Sequence, residues 1–157
     1  SVKIGGGYIS VTSGSDGIRA DNNAETDRGF VLIDGGSIAI SAGSDGIQAA
    51  SAIFIKGGTT LLSAVKRPIK CGSVAMIDGG TVAALGGEFD CPVGDSSAQP
   101  NILFPFGSAI KENTPLAVAA NGETVSIATF KSLRPATVLF FTTPGITAGT
   151  EYSLYNG

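Results

Sequence analysis

Residues 6–20 read GGYISVTSGSDGIRA, and residues 35–49 repeat them as GGSIAISAGSDGIQA. Weaker copies begin at Gly57 and Gly79, so successive glycine pairs are spaced by 29, 22 and 22 residues. An internal repeat of this length is typical of proteins built from stacked structural units rather than from one ordinary globular core. The repeat therefore decides the fold.

Within each copy, apolar residues alternate with other residues at a period of two, which is the signature of β-strands. Aligning the copies on their glycine pairs predicts seven inward columns: Val2, Val31, Ile53 and Ala75; Ile4, Ile33, Ile55 and Ile77; Ile9, Ile38, Thr60 and Val82; Val11, Ile40, Leu62 and Ala84; Ser13, Ala42, Ala64 and Gly86; Ile18, Ile47, Ile69 and Cys91; Ala20, Ala49, Cys71 and Val93. Three strands per repeat predict an all-β fold, a right-handed single-stranded parallel β-helix of about four three-strand coils over residues 1–93. The seven extra residues of the first spacing fall in a polar loop after Ala20.

After Pro92 the repeat ends, and residues 94–157 are predicted to form an antiparallel β cap packed on the coils. Residues 94–100 are interpreted as a linker, and Asn121-Gly122 as a hairpin turn. The strands predicted in this segment are Asn101 to Phe106, Leu116 to Ala120, Thr124 to Phe130, Thr137 to Thr142 and Tyr152 to Tyr155. A stack of coils needs such a cover, because open strand edges invite aggregation.

The outward column of the first strand is apolar after its first member and needs cover of its own, since large bare apolar patches are rare on soluble monomers. Its members are Lys3, Leu32, Phe54 and Met76. We expect the cap to fold back onto this column. Self-association through the Leu32, Phe54 and Met76 face, or through the open N-terminal coil, is the alternative.

The composition excludes several classes of function. The chain has no His, so the commonest general base and metal ligand is missing. A net charge of −3 without a basic run argues against a nucleic-acid partner. No apolar stretch is long enough to span a bilayer, and no signal peptide precedes Ser1-Val2, which already lie inside a repeat. Few charges and many Ser, Thr and Gly favour an extracellular or cell-surface protein.

The third strand of each coil carries an outward polar column, Arg19, Gln48 and Lys70. The preceding corner stacks Asp16, Asp45 and Arg67, with Ser15, Ser44 and Lys66 alongside. Because neighbouring coils lie about 4.8 Å apart, these groups form a continuous strip that suits an extended, charged, hydroxyl-rich chain. In the alternative, structural interpretation, each aspartate accepts hydrogen bonds from nearby backbone N–H groups and Arg67 neutralises Asp45. Tyr8 is the one obvious outward aromatic residue of the coils.

The loop from Asp21 to Asp27 is rich in oxygen ligands of the kind that Ca²⁺ prefers. The candidate calcium ligands are Asp21, Asn23, Glu25 and Asp27 in this loop, together with Asp16 and Asp45 at the corners. The spacing matches no EF-hand, and an ordinary solvated loop is the alternative.

The two cysteines fall on inward columns but diagonally from each other. Ideal stacking would separate the Cα atoms of Cys71 and Cys91 by roughly 8 Å, beyond the usual limit for a disulfide near 7 Å. The sequence therefore favours two buried thiols, although a last coil distorted by Pro92 leaves a disulfide open.

The repeat, followed by GGTVAALGGEFD at residues 79–90, QPNILF at 99–104 and ITAGTEYSLY at 146–155, resembles a known family. This is the carbohydrate-binding, polysaccharide-lyase-like β-helix family of cellulolytic clostridia and relatives. The resemblance implies an exported right-handed β-helix that binds plant cell-wall polysaccharides, including acidic ones, with calcium as a structural or bridging ion. Members are generally longer, so the chain resembles their C-terminal portion. Asp16 and Asp45 match the Asp-Gly-Ile turns, whereas the third coil departs with Arg67-Pro68-Ile69.

The leading hypothesis is a non-catalytic binder of acidic polysaccharide that uses Arg19, Lys66, Arg67 and Lys70, with Gln48 and Tyr8 beside them and possible calcium bridging. A calcium-dependent, pectate-type lyase is the second hypothesis, since β-elimination needs a base and a cation beside the uronate carboxylate. A structural or adhesive surface protein is the third.

Overall fold

The computed structural model describes residues 1–25, 27–94 and 99–156, and within them every regular element is a strand. The repeat region contains eleven strands: β1 (Val2–Ile4), β2 (Tyr8–Ser13), β3 (Ile18–Ala20), β4 (Val31–Ile33), β5 (Ser37–Ala42), β6 (Ile47–Ala49), β7 (Ile53–Ile55), β8 (Thr59–Ala64), β9 (Ile69–Cys71), β10 (Ala75–Ile77) and β11 (Thr81–Gly86). The all-β prediction is confirmed. Among the described residues, no helix is long and apolar enough to cross a membrane.

Each of the first three repeats contributes one strand to each of three stacks of parallel strands, and the fourth repeat contributes to the first two stacks. The first sheet has the order β1-β4-β7-β10, the parallel part of the second β2-β5-β8-β11, and the third β3-β6-β9. The observed register pairs the residues that the alignment placed in one column, for example Ile33 with Ile55 and Ile40 with Leu62. The repeat spacing therefore predicted both the strands and their register.

The inward columns form one core in which isoleucine dominates. Ile33, Ile40, Ile47, Ile53 and Ile55 are all fully buried. Burying one such side chain contributes about 1.5–3 kcal/mol, and β-branched side chains pack well on pleated strands. The repeated isoleucines thus supply most of the force that holds the coils together.

Glycine is required at the corner between the first two sheets. Gly7, Gly36, Gly58 and Gly80 all have positive φ, between 79° and 95°. From the second coil on, a Cβ atom there would also meet the glycine backbone of the coil before. The paired glycines of the repeat are therefore a consequence of close coil-to-coil stacking.

The fourth coil departs from the predicted columns after Gly86. Val93 forms a parallel β-bridge with Ala75 of the first sheet instead of pairing with Cys71. Cys71 forms a disulfide with Cys91, and their Cα atoms lie 6.1 Å apart. The prediction of two free thiols is wrong because it assumed ideal stacking in this coil. Pro92 has no N–H to donate, so the third-sheet ladder ends at β9 and the chain turns toward the first sheet.

Five further strands follow: β12 (Asn101–Ile110), β13 (Pro115–Ala120), β14 (Ala128–Lys131), β15 (Ala136–Thr142) and β16 (Tyr152–Asn156). All pair antiparallel, as predicted for this segment, and the turn at Asn121-Gly122 is present, with φ of 85° at Gly122. The second strand of this hairpin begins at Ala128 rather than at Thr124. Of the predicted linker, residues 95–98 lie outside the described part of the chain.

The C-terminal strands extend the second sheet and cover its outer face. β15 pairs with β11, β12 pairs with β15, and a second core joins Ala83 and Leu85 of the coils to the segment that follows residue 100. Phe140 of β15 faces away from this second core and lies in the core of the coils. Its ring stacks on that of Phe89, with the ring centroids 4.5 Å apart. The domain boundary at residue 94 stays a prediction, because the second sheet runs through both segments.

The expectation that these strands cover the outward column of the first sheet is wrong. They pack on the second sheet instead, where Leu61, Ala83 and Leu85 form a common core with apolar residues of the C-terminal strands. Leu32, Phe54 and Met76 are half-buried, and Phe30 lies edge-on against Phe54. Self-association through this column, or through the N-terminal coil, stays a prediction.

Candidate functional site

The outer face of the third sheet brings together most of the residues predicted for binding. Arg19 pairs in register with Gln48, and Gln48 with Lys70. We call this column, with the corner residues Asp16, Asp45 and Arg67, the corner strip. The stacking that places the isoleucines inside therefore also aligns these polar side chains outside.

The corner aspartates tie each coil to the next. Asp16 Oδ1 accepts a hydrogen bond from the backbone N–H of Asp45 at 3.1 Å, and Asp45 Oδ1 accepts one from the backbone N–H of Arg67 at 3.2 Å. The structural interpretation of these residues is thus confirmed. The repeated Asp-Gly turn satisfies a backbone donor that the stacked strands leave without a partner.

Asp45 is the buried centre of the strip. Its side chain is 4% exposed, and its oxygens accept from Arg67 Nε at 3.2 Å and face Lys70 Nζ at 3.4 Å. Lys70 also donates to Gln48 Oε1 at 3.4 Å. Burial raises the pKa of Asp45, but hydrogen bonds from Arg67 and the charges of Arg67 and Lys70 outweigh it and hold the pKa below its ordinary value. The hydrogen bond to Asp45 in turn raises the pKa of Arg67.

The lowered pKa predicts a specific acid sensitivity. The ionised form of Asp45 stabilises the fold above the ordinary carboxyl pKa of about 3.9, and this contribution is lost as the pH falls through the lower pKa of the folded state. Urea unfolding from neutral pH to below pH 4 should therefore show Asp45→Asn clearly less stable than the unmodified chain at neutral pH, with the difference shrinking in acid. The exposed Asp34→Asn is the control, expected to show little difference at any pH. A stability difference between Asp45→Asn and the unmodified chain that stays constant from neutral pH to below pH 4 would contradict the prediction.

At its ends the strip is solvent-accessible. Arg19 lies 2.6 Å from Asp21 and 3.3 Å from Asp16, and its side chain is 51% exposed. Arg67 reaches toward Glu88 at 3.9 Å and Asp90 at 3.8 Å. Each cation of the strip is therefore held in place by carboxylates of the chain itself.

Sequence reasoning missed Glu88 and Asp90 as members of this surface. Glu88 lies one repeat after Lys66 and donates its backbone N–H to the carbonyl of Lys66, so extending the corner columns into the fourth coil would have found it. Lys66 is exposed and forms no ion pair with any described residue. It is thus the cation of this corner most accessible to a ligand.

Tyr8 does not belong to the strip. It lies on β2 at the outer face of the second sheet and is 78% exposed. A ligand bound along the outer face of the third sheet would not contact Tyr8. The role of Tyr8 in carbohydrate binding therefore stays a separate prediction.

The predicted calcium ligands are largely engaged by cations. Asp21 pairs with Arg19, Glu25 lies 2.7 Å from Arg28, and Asp45 is buried against Arg67 and Lys70. Asn23 and Asp27 are exposed. The described part of the chain contains no group of three or more acidic or cysteine side chains arranged to hold a metal ion. A calcium ion that used Asp21 or Glu25 as a ligand would have to displace Arg19 or Arg28.

Comparison with known proteins gives one result. A family model described as "Carbohydrate-binding domain-containing protein" matches residues 1–91, which is more than half of the chain and includes the corner strip. The searches of curated proteins and of solved structures found no match.

Proposed function

Because the chain belongs to the family of carbohydrate-binding domain-containing proteins, we propose that it is a non-catalytic module that binds acidic polysaccharide along the corner strip. The observation that carries this proposal is the column Arg19, Gln48 and Lys70, repeated in register across three coils within the matched region. An extended polymer lying across the strands meets one polar side chain per coil. We propose that the repeats which carry this surface form a right-handed parallel β-helix, because parallel crossovers are nearly always right-handed.

The ion pairs within the strip favour binding by pre-organisation. Arg19 is fixed by Asp16 and Asp21, and Lys70 by Gln48 and Asp45, so a ligand loses little side-chain entropy when it meets them. Arginine and lysine still have donors free for carboxylates or hydroxyls of a glycan. The exposed carboxylates of Glu88 and Asp90 can accept hydrogen bonds from sugar hydroxyls.

The acidic ligand class is proposed on the three cations of the strip, Arg19, Arg67 and Lys70, and on Lys66 beside them. Five nearby carboxylates oppose them: Asp16, Asp21, Asp45, Glu88 and Asp90. Binding should therefore be moderate and should weaken with salt. Calcium assistance and an extracellular or cell-surface location are part of the proposal, and affinity measured with calcium or with a chelator tests the first.

Removing the two cations of the outward column should weaken binding. We expect Arg19→Gln with Lys70→Gln to reduce the affinity for polygalacturonate by about tenfold, since each charge-assisted hydrogen bond contributes about 1.5–3 kcal/mol before competition from the carboxylates of the chain. Affinity electrophoresis in gels containing polygalacturonate or a neutral glucan measures the effect.

The matched control is Lys56→Gln with Lys111→Gln, which makes the same change in net charge at exposed positions outside the strip. An equal loss in this control would mean non-specific attraction and would reject the strip as the site. If no glycan retards the unmodified chain, the binding function itself is rejected. If the chain instead releases unsaturated product from the same polygalacturonate, detected by its ultraviolet absorbance, the result supports the second hypothesis, a pectate-type lyase.

A further inference from the structure

The outer face of the three-stranded sheet β14-β13-β16 carries an exposed aromatic residue beside a small side chain. Leu116 and Val118 of β13 point into the second core, so the alternation of the strand turns Ala117 outward, whereas Ala119 is only 3% exposed. In the register of this sheet Tyr155 lies directly beside Ala117, and the residue is 50% exposed. We call this surface the Tyr155 platform.

A hollow lies on each side of Tyr155. One extends toward Pro115 and Lys131, the other toward Ala119 and Glu123, and Ala117 and Tyr155 line both. The two hollows thus follow β13 from one end to the other, with the tyrosine between them. This is a linear track rather than a closed pocket.

Polar side chains stand at both ends of the track. Thr129 and Lys131 line the first hollow, and Glu123, Thr124 and Ser126 line the second. Lys131 forms no ion pair with any described residue, so its charge is available to an anionic ligand. Apolar surface with a few well-placed polar groups is the usual composition of a small-ligand site.

The size of the track favours a small ligand over a folded protein partner. Seven residues line one hollow and six the other, with two of them shared. A stable protein–protein interface takes about 20–30 residues from each partner. The track itself is smaller than such an interface, and its size suits a ligand of a few rings.

We propose that the Tyr155 platform is a second saccharide site, which binds a short stretch of a uronate-containing chain along β13. One sugar ring lies on the face of Tyr155, its neighbours occupy the two hollows, and a uronate carboxylate pairs with Lys131. This inference rests on the proposed function for the class of ligand. It adds a site in the C-terminal segment, outside the matched residues 1–91.

The chemistry of both partners supports this arrangement. The C–H faces of a sugar ring are apolar and its edge carries hydroxyls, so a ring on Tyr155 buries apolar surface while its edge meets Thr129 and Glu123. The small methyl group of Ala117 leaves room for a ring to approach. A carboxylate at Lys131 gains a charge-assisted hydrogen bond.

The test uses trigalacturonate, which is short enough to occupy the platform, and measures affinity by calorimetry on the full chain. We expect Tyr155→Ala to weaken binding by about tenfold and Lys131→Gln by a few-fold, whereas Tyr155→Phe keeps the ring and most of the affinity. Leu103→Ala removes an exposed apolar side chain outside the platform and should change nothing. Because Tyr155 is half exposed, Tyr155→Ala should keep the fold, which circular dichroism checks.

The outcomes separate this site from the corner strip. Loss of trigalacturonate binding in Tyr155→Ala, but not in Arg19→Gln with Lys70→Gln, supports the platform. Unchanged binding in Tyr155→Ala together with loss in the strip variant overturns the platform and leaves the proposed function intact. If the unmodified chain binds neither trigalacturonate nor polygalacturonate, both proposals fall.

Discussion

Replacing Gly58 by alanine is expected to lower the free energy of unfolding by about 2–4 kcal/mol, a large part of the roughly 5–15 kcal/mol that stabilises a typical domain. Two costs add. Gly58 has φ of 80°, where a Cβ atom costs about 1 kcal/mol. A Cβ there would also overlap the carbonyl oxygen of Gly36 and lie 2.8 Å from the carbonyl carbon of Gly35, and such overpacking costs about 1–3 kcal/mol. Urea or thermal unfolding measures the sum.

The same change at Gly7 separates the two costs. Gly7 has φ of 93°, but no atom lies within 4 Å of the position its Cβ would take. Gly7→Ala should therefore lose only about 1 kcal/mol, from the backbone conformation alone. Equal losses at both positions would show that coil-to-coil contact at this corner contributes nothing.

Truncating Phe140 should destabilise the protein by about 3–5 kcal/mol, as expected when a fully buried aromatic side chain is reduced to alanine. Phe140 is 1% exposed and joins the C-terminal strands to the core of the coils through its contact with Phe89. We expect Phe140→Ala to unfold at lower denaturant and to bind more of a hydrophobic dye before unfolding, because the end of that core becomes accessible.

Tyr8→Ala is the control for this change, since it also removes an aromatic ring but from an exposed position. Its free energy of unfolding should stay within about 0.5 kcal/mol of the unmodified chain. If Phe140→Ala behaved like this control, the closure of the coil core by β15 would be refuted.

The repeat made the coils predictable from sequence. Spacing and period predicted the eleven strands that form, together with a third strand in the last coil that does not form. Stacking then left one register, because a one-residue slip would turn buried residues such as Ile40 and Ile55 outward. The same logic placed Arg19, Gln48 and Lys70 in one column.

The rest of the fold depends on contacts that the repeat does not encode. Nothing in the local sequence shows that β15 pairs with β11 or that Leu61 lies beneath the C-terminal strands, because these contacts join segments far apart in the chain. The Cys71–Cys91 bond depended on how Pro92 redirects the last coil. Tyr155 stayed unnoticed because its exposure is decided by which face of the C-terminal sheet meets the second core.

The antiparallel course of β15 limits how such a protein lengthens during evolution. β15 occupies the edge of β11 that a fifth coil would need, so duplicated sequence cannot be appended there. A whole unit of 22 residues inserted between existing coils, however, leaves every ladder and the terminal strands intact. Each such insertion would add one more residue to the column of Arg19, Gln48 and Lys70, so the length of this column can change in steps of one coil.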